Sequence, residues 1–455
     1  MAAKHPASPT PLERAAFAFE EFVTRQTVSG CILLVCAIVA LIWANSRFAT
    51  SYFSISHVKA AYHFGGWIMV KDLKHWVNDG LMALFFLLVG LEIKREIIAG
   101  ELQAFSKAIL PIVAAIGGMI IPAFIFAWFN QHDAIAIRGW GIPMATDIAF
   151  AIGVLSLVGR RAPSKLMTLL IAIAIVDDIG AVLVIALFYS KQMHFAYLLG
   201  AGLMFVILLI LNYLKIHRLW PYLLFGVLMW FFMLQSGVHS AIAGVVLAFT
   251  IPGRSEYSPQ TLSAKLSHLM KQFDQIQDSK DKHPPENEER KKILFTINKV
   301  VREVETPLQR LEHKLILPVT LFVIPLFVLF NAGVSFSGTT LSELMQSHVL
   351  MGVFIGLLLG KIVGIFGSIF AMVKLKWAQL PKGVLLRHVF PMSIIAGIGF
   401  TMSIFIAELA YGTGSESLRL AKLGILSASL LAAIFGYLFM YIFTWGRQCK
   451  PSKKS

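Results

Sequence analysis

Twelve apolar blocks run the length of the chain, at 27–46, 79–99, 108–130, 140–159, 166–190, 196–214, 219–235, 237–251, 315–334, 349–373, 384–411 and 419–445. About twenty apolar residues in a row are what a helix needs to cross a hydrocarbon core. The chain therefore reads as an all-α polytopic membrane protein with about 12 transmembrane helices. Composition agrees, because 57% of the 455 residues are hydrophobic and only 14% are charged, against about 25% charged in soluble domains. A soluble enzyme is close to excluded.

An even number of spans puts both termini on one side. Of the 40 Lys and Arg residues, 31 fall in or beside loops on the terminus side, 8 on the far side and one, Lys361, inside a span. Both termini are expected in the cytoplasm. The net charge of +15 is then a signal of topology, and no nucleic-acid partner is expected. The first 26 residues lack a short apolar region followed by a small-residue cleavage site, so no cleavable signal peptide is expected and the first helix stays as its own anchor. Cys31, Cys36 and Cys449 are too few for a disulfide framework. The chain divides into a cytoplasmic segment 1–26, spans over 27–251, a charged cytoplasmic loop 252–314, further spans over 315–445 and a basic tail 446–455.

Two connections carry structure of their own. Residues 253–314 hold 12 Lys and Arg and 10 Asp and Glu. Leu262, Leu266, Leu269, Phe273 and Ile276 recur at helical spacing, as do Leu294, Ile297, Val301, Val304, Leu308 and Leu311, so two amphipathic surface helices are expected, joined around Lys282–Pro285. The external loop 47–78 has two alternating stretches about Gly65-Gly66, the pattern of a β-hairpin. An isolated hairpin is marginal in water, which makes pairing with a second copy, a homodimer, plausible.

The fourth and eleventh spans contain helix breakers. Gly139, Gly141 and Pro143 precede Met144-Ala145-Thr146-Asp147, and Pro391, Gly397 and Gly399 surround the approach to Phe400-Thr401-Met402-Ser403. Interruptions in corresponding spans of two halves point to discontinuous helices around a midplane site. Asp147 lies in the first break, and Asp177-Asp178 lie in an uncharged run from Thr168 to Ser190. A carboxylate at the bilayer centre costs at least about 2.5–3.5 kcal/mol, so three on adjacent spans call for a function. The only basic residue read as equally deep is Lys361, within Gly360-Lys361-Ile362. Pairing with an aspartate accounts for it better than snorkelling. Adjacent helical residues diverge by about 100°, so Asp177 and Asp178 have different surroundings and different roles. Three carboxylates with the Thr146 hydroxyl and freed carbonyls offer an oxygen shell suited to hard cations. Asp147 suits the positive ends of half-helices and Lys361 the negative ends.

The blocks 78–96, Ala145-Thr146-Asp147-Ile148-Ala149-Phe150-Ala151, Ile175-Val176-Asp177-Asp178-Ile179-Gly180-Ala181, Ser236-Gly237-Val238-His239, Asn331-Ala332-Gly333-Val334 and 397–407 resemble those of the bacterial NhaA sodium/proton antiporters, in order over nearly the whole chain. NhaA is itself among the transporters in which the broken-helix pattern is known. The resemblance implies an inverted repeat, two crossed discontinuous helices and exchange of internal sodium or lithium for more than one external proton. It implies that Asp177 and Asp178 bind the ion, Asp178 chiefly, that Lys361 pairs with Asp177, and that Asp147 and Thr146 lie at the crossing. Glu92, Glu96, Glu312 and His313 match a cytoplasmic funnel linked to pH response, and Asp79 and His239 also fall at family positions. The long loop before Glu312 is a departure from the family pattern.

Secondary antiport in the inner membrane, with no cofactor beyond the transported ions, is the function expected. An intramembrane aspartyl protease fits poorly, because its Tyr-Asp and Gly-x-Gly-Asp motifs are missing and Lys361 has no part in it. A passive cation channel is disfavoured by carboxylates buried this deeply.

Overall fold

Segments this apolar have to satisfy their own backbone and pack against protein or lipid on every side. The computed structural model describes residues 26–64, 67–100, 102–190, 193–254, 259–275, 292–297, 305–336 and 341–444. The expected N-terminal segment, the basic tail with Cys449, the Gly65-Gly66 turn and the polar run around Lys282–Pro285 lie almost wholly outside these residues.

Helix α1 (Gln26–Ala44) is followed by α2 (Ala49–Ser56), which turns away by 113° and does not prolong the crossing. Strands β1 (Lys59–Phe64) and β2 (Trp67–Asp72) pair antiparallel, Lys59 opposite Asp72 and Phe64 opposite Trp67. A short helix, Leu73–Trp76, and a wide π turn, Val77–Leu81, lead into α3 (Met82–Ala99). After α4 (Phe105–Asn130), Asp133 accepts the Ala136 and Ile135 amides, which hold its carboxyl below the usual carboxylate range. The fourth segment is a 3-10 helix, Ala136–Met144, then α5 (Ile148–Leu157). Next come α6 (Ser164–Phe188), α7 (Phe195–Tyr213), α8 (Leu219–Ser236) and α9 (Ile242–Thr250).

In the long connection α10 (Pro259–Gln275) forms where an amphipathic helix is expected. The second amphipathic stretch is not one helix. Residues 292–297 are helical, and a new helix, α11 (Pro307–Pro318), starts at a capping box in which Thr306 and Gln309 exchange bonds ahead of Pro307. It continues through a π stretch, Val319–Val323, into α12 (Ile324–Asn331). The tenth segment begins as α13 (His348–Ile355), passes through two π stretches, Gly356–Gly360 and Ile362–Phe366, and ends as α14 (Gly367–Lys374). Last are α15 (Leu386–Ile395), α16 (Phe400–Tyr411) and α17 (Glu416–Thr444).

Among the described residues, seven stretches are long and apolar enough to cross a membrane, or ten if each bent pair is one crossing. Two further expected spans are helices outside that count. Helix α3 carries Glu92, Lys94, Arg95 and Glu96. Helix α9 is only nine residues, roughly 13 Å of rise. The expected 237–251 helix is shortened because Gly237 closes α8 at φ +86° and the His239 ring accepts the Ala241 amide, so 237–241 form a turn. Lys94 donates to the Ile251 and Phe249 carbonyls at the other end of α9.

Small residues let the helices approach closely. A Cβ on Gly364 would collide with the Gly117 carbonyl, and one on Gly117 with the Gly364 carbonyl, so α4 and the tenth segment touch backbone to backbone beside Lys361. Gly244 presses on Ala83 in the same way, where α9 crosses α3.

Candidate site at the crossing of two broken helices

A helix interrupted in a bilayer frees amides and carbonyls that water cannot reach, so each has to find a partner in the protein. The fourth segment bends by 43° between Met144 and Ile148, and the eleventh by 46° between Ile395 and Phe400. The breaks satisfy each other. The Asp147 amide donates to the Ile398 carbonyl at 2.7 Å, the Ser403 hydroxyl to the Ile142 carbonyl at 2.7 Å, and the Tyr411 hydroxyl to the Ala136 carbonyl at 2.6 Å. Gly399 permits this approach, since a Cβ there would sit 3.0 Å from the Ala145 carbonyl oxygen.

Asp147 caps two helices at once. Its Oδ1 accepts the Phe150 amide of α5 at 3.1 Å, and its Oδ2 accepts the amide and hydroxyl of Thr401 at the start of α16, at 3.0 and 2.5 Å. One carboxylate therefore faces the positive ends of both half-helices. Lys361 faces the opposite polarity. Its Nζ donates to the Met144 carbonyl, the C-terminal end of the 3-10 helix, and to Asp177 Oδ2, both at 2.6 Å. The lysine and Asp177 are fully buried. Lys361 is the single residue between two π stretches, a local widening frequent at functional positions.

The Thr146 hydroxyl lies 2.8 Å from Asp177 Oδ2 and 2.9 Å from the Ala396 carbonyl. It has one hydrogen for two acceptors. Asp178, one residue further along α6, is 2% exposed. Its Oδ1 has no hydrogen-bond partner, and neither has Asp177 Oδ1. Two buried carboxylate oxygens without donors are costly as they stand and are relieved by a proton or a cation. The crossing thus joins Asp177, Lys361 and Thr146 directly, with Asp178 on the same helix. Asp147 has both its oxygens committed to helix ends. Among the described residues no three His, Cys, Asp or Glu side chains converge as a metal cluster.

The four funnel residues are gathered only in part. Arg95 bonds Glu312, whose other oxygen, Oε2, is buried without a partner, and Arg95 lies 3.4 Å from Glu96. Glu92 is on the same helix α3, and its charge is coupled to those of Glu312, Arg95 and Glu96. His313 is exposed. At the other end of α3, Asp79 lies 2.6 Å from His75 and 3.3 Å from His239.

A second buried ionic cluster escapes the sequence reading. Glu408 Oε1 accepts from Lys74 and from Lys422, each at 2.6 Å. Lys361 is therefore not the only deeply buried lysine, since Lys422 is 5% exposed. Glu408 and Lys422 lie near span ends, where charge is ordinary, and only the fold shows that Lys74 and the two helices close over them. Asn78 and Asn331 also escape the sequence reading as a pair; their amides bond reciprocally at 2.8 and 3.3 Å.

Residues 20–440 match the family described as Na+/H+ antiporter 1. The chain is 45% identical over 430 residues to the Na(+)/H(+) antiporter NhaA of Sulfurimonas denitrificans, covering 94% of this chain and 96% of the relative. It is 45% identical to Na(+)/H(+) antiporter NhaA 1 of Saccharophagus degradans, covering 93% and 91%. It is 42% identical to the NhaA antiporter of Helicobacter pylori, covering 93% and 95%.

Proposed function

The chain belongs to the Na+/H+ antiporter 1 family, and from that premise we propose how its crossing exchanges sodium for protons. The chain is a sodium/proton antiporter of a bacterial inner membrane, with about twelve helices in an inverted repeat and both termini cytoplasmic. The observation that carries the reading is the buried Lys361–Asp177 pair beside Asp178, with one oxygen of each aspartate lacking a donor.

Desolvation and mutual repulsion disfavour two charged carboxylates on one helix turn, so protons occupy this site when sodium is absent. Sodium or lithium arriving at Asp178 offers the same compensation as a proton, and the two compete. Asp178 is the principal cation ligand. Asp177 and Thr146 complete its oxygen shell, and Asp147 contributes by fixing the two half-helix N-termini rather than by giving up its hydrogen bonds. Sodium binding displaces one proton from Asp178 and draws Asp177 away from Lys361, whose buried ammonium, left without its counter-ion, gives up a second, so more than one proton exchanges per cation and the cycle is electrogenic. Alternating access follows from rocking of the broken-helix bundle about this fixed site. Glu92, Glu96, Glu312 and His313 set the pH response from the cytoplasmic side. The β1–β2 hairpin pairs two copies as a dimer.

The test is sodium-driven pH change in everted membrane vesicles. The intact protein collapses a proton gradient when sodium or lithium is added, and Asp178→Asn does not. Sodium-dependent proton flux that survives Asp178→Asn would sink the assignment.

A further inference from the structure

On the hairpin side of the molecule a cavity of about 230 Å³ is lined by Lys74, Lys422, Arg419 and Glu416, with Ser335 and Thr413 beside them. Its charges do not balance. Lys74 and Lys422 share one oxygen of Glu408, while Arg419 is held by both oxygens of Glu416 at 3.0 and 2.5 Å. Among the described residues these three cations face two carboxylates, His57 on the same lining being paired with Asp72, and one positive charge is left over where Lys422 and Glu408 are buried. An uncompensated buried charge is unfavourable, and a monovalent anion relieves it.

A second cavity, of about 1160 Å³, is an apolar groove lined by Leu34, Phe336, Leu423, Leu426 and Leu430 among others. Leu34 is 46% exposed and Leu430 57%, so the groove opens sideways toward the hydrocarbon. The two cavities adjoin. Ser335 lines the first and Phe336 the second, and α17 gives Leu418, Arg419 and Lys422 to the first and Leu423, Leu426 and Leu430 to the second. Arg419, Leu423, Leu426, Leu430 and Ala433 recur at four-three spacing and form one stripe of α17, with the guanidinium at its head. The floor of the groove includes Phe150, Ile398 and Phe400, which belong to the two broken segments. Ile398 is the residue whose carbonyl holds the Asp147 amide.

We propose that these cavities together form a binding site for one anionic phospholipid, its phosphodiester beside Lys74, Lys422 and Arg419 and an acyl chain in the groove of α17. The leftover cation matches the single charge of a phosphodiester. The apolar groove is lined by the neighbouring residues of the same helix, and its exposed leucines face the side on which acyl chains are the available occupant. Such a lipid packs against the crossing and supports its geometry from the membrane side.

The test uses the purified full-length protein in lipid-free detergent. Phosphatidylglycerol, phosphatidylcholine with the same chains, and glycerol 3-phosphate are each added, with retained lipid read by native mass spectrometry and the unfolding midpoint by thermal denaturation. Phosphatidylglycerol is expected to be retained and to raise the midpoint, with phosphatidylcholine and glycerol 3-phosphate much weaker. Arg419→Gln and Lys422→Met are each expected to weaken phosphatidylglycerol binding about tenfold, the scale of one charge-assisted bond. Leu430→Trp, which fills the groove at an exposed position, is expected to weaken it too, while its midpoint without lipid matches the intact protein. Equal retention of phosphatidylcholine overturns the proposal, as does a full effect from glycerol 3-phosphate that Leu430→Trp leaves unchanged. Phosphatidylglycerol binding unaltered in all three variants, or an oligomer seated on the groove in lipid-free detergent, also overturns it. None of these readouts depends on transport.

Discussion

Lys361 makes two bonds from one buried ammonium, to Asp177 and to the Met144 carbonyl, and the bond to Asp177 predicts that one substitution rescues another. Lys361→Ala leaves Asp177 buried without its counter-ion, with only the Thr146 hydroxyl beside it, which typically costs about 3–5 kcal/mol. Asp177→Asn in that background removes the orphaned charge and is expected to restore most of the loss. A double-mutant cycle read by thermal unfolding checks this, and additive losses would show that the two side chains do not interact. Asp147 differs, because its partners are backbone amides and a hydroxyl at two helix starts. The sequence exposes the deep carboxylates and Lys361 because each stands alone in an apolar run. It hides the division of labour between them, since which oxygen lacks a donor depends on where four chain segments meet.

At the scale of elements, the close crossing of α4 with the tenth segment rests on glycine, and two glycines three positions apart on that segment make a direct comparison. Gly364→Ala drives a methyl into the Gly117 carbonyl, whereas Gly367→Ala meets nothing within 4 Å. The first is expected to lower the unfolding midpoint clearly. The second is expected to be neutral or stabilising by up to about 1 kcal/mol, from helix propensity. Equal effects would contradict the crossing. The breaks in the fourth and eleventh segments were legible because Gly and Pro cluster beside polar residues there. The π stretches around Lys361 were not, since Gly356–Gly360 and Ile362–Phe366 look like ordinary apolar helix. The start of α11 at Thr306-Pro307 has a readable capping signal, but the apolar spacing on both sides runs through it and conceals the interruption. The Lys74–Glu408–Lys422 cluster was invisible for a different reason, because Lys74 lies 334 residues from Glu408 and each member sits where charge is common.

At the scale of the whole molecule, exchange and assembly separate. The crossing lies within one chain, while the proposed dimer contact lies in β1 and β2. Replacing residues 60–71 with a short Gly-Ser linker is expected to turn a dimer into a monomer by light scattering while sodium-driven exchange in vesicles persists. A dimer that survives the replacement would place the contact elsewhere. Competition of sodium and protons for the same buried carboxylates can be read without a membrane gradient. Sodium chloride is added to purified protein in weakly buffered detergent solution and the pH is followed, with choline chloride as the ionic-strength control. Acidification is expected with sodium or lithium in the intact protein and none in Asp178→Asn. Saturable sodium binding to the intact protein with no proton release would contradict it.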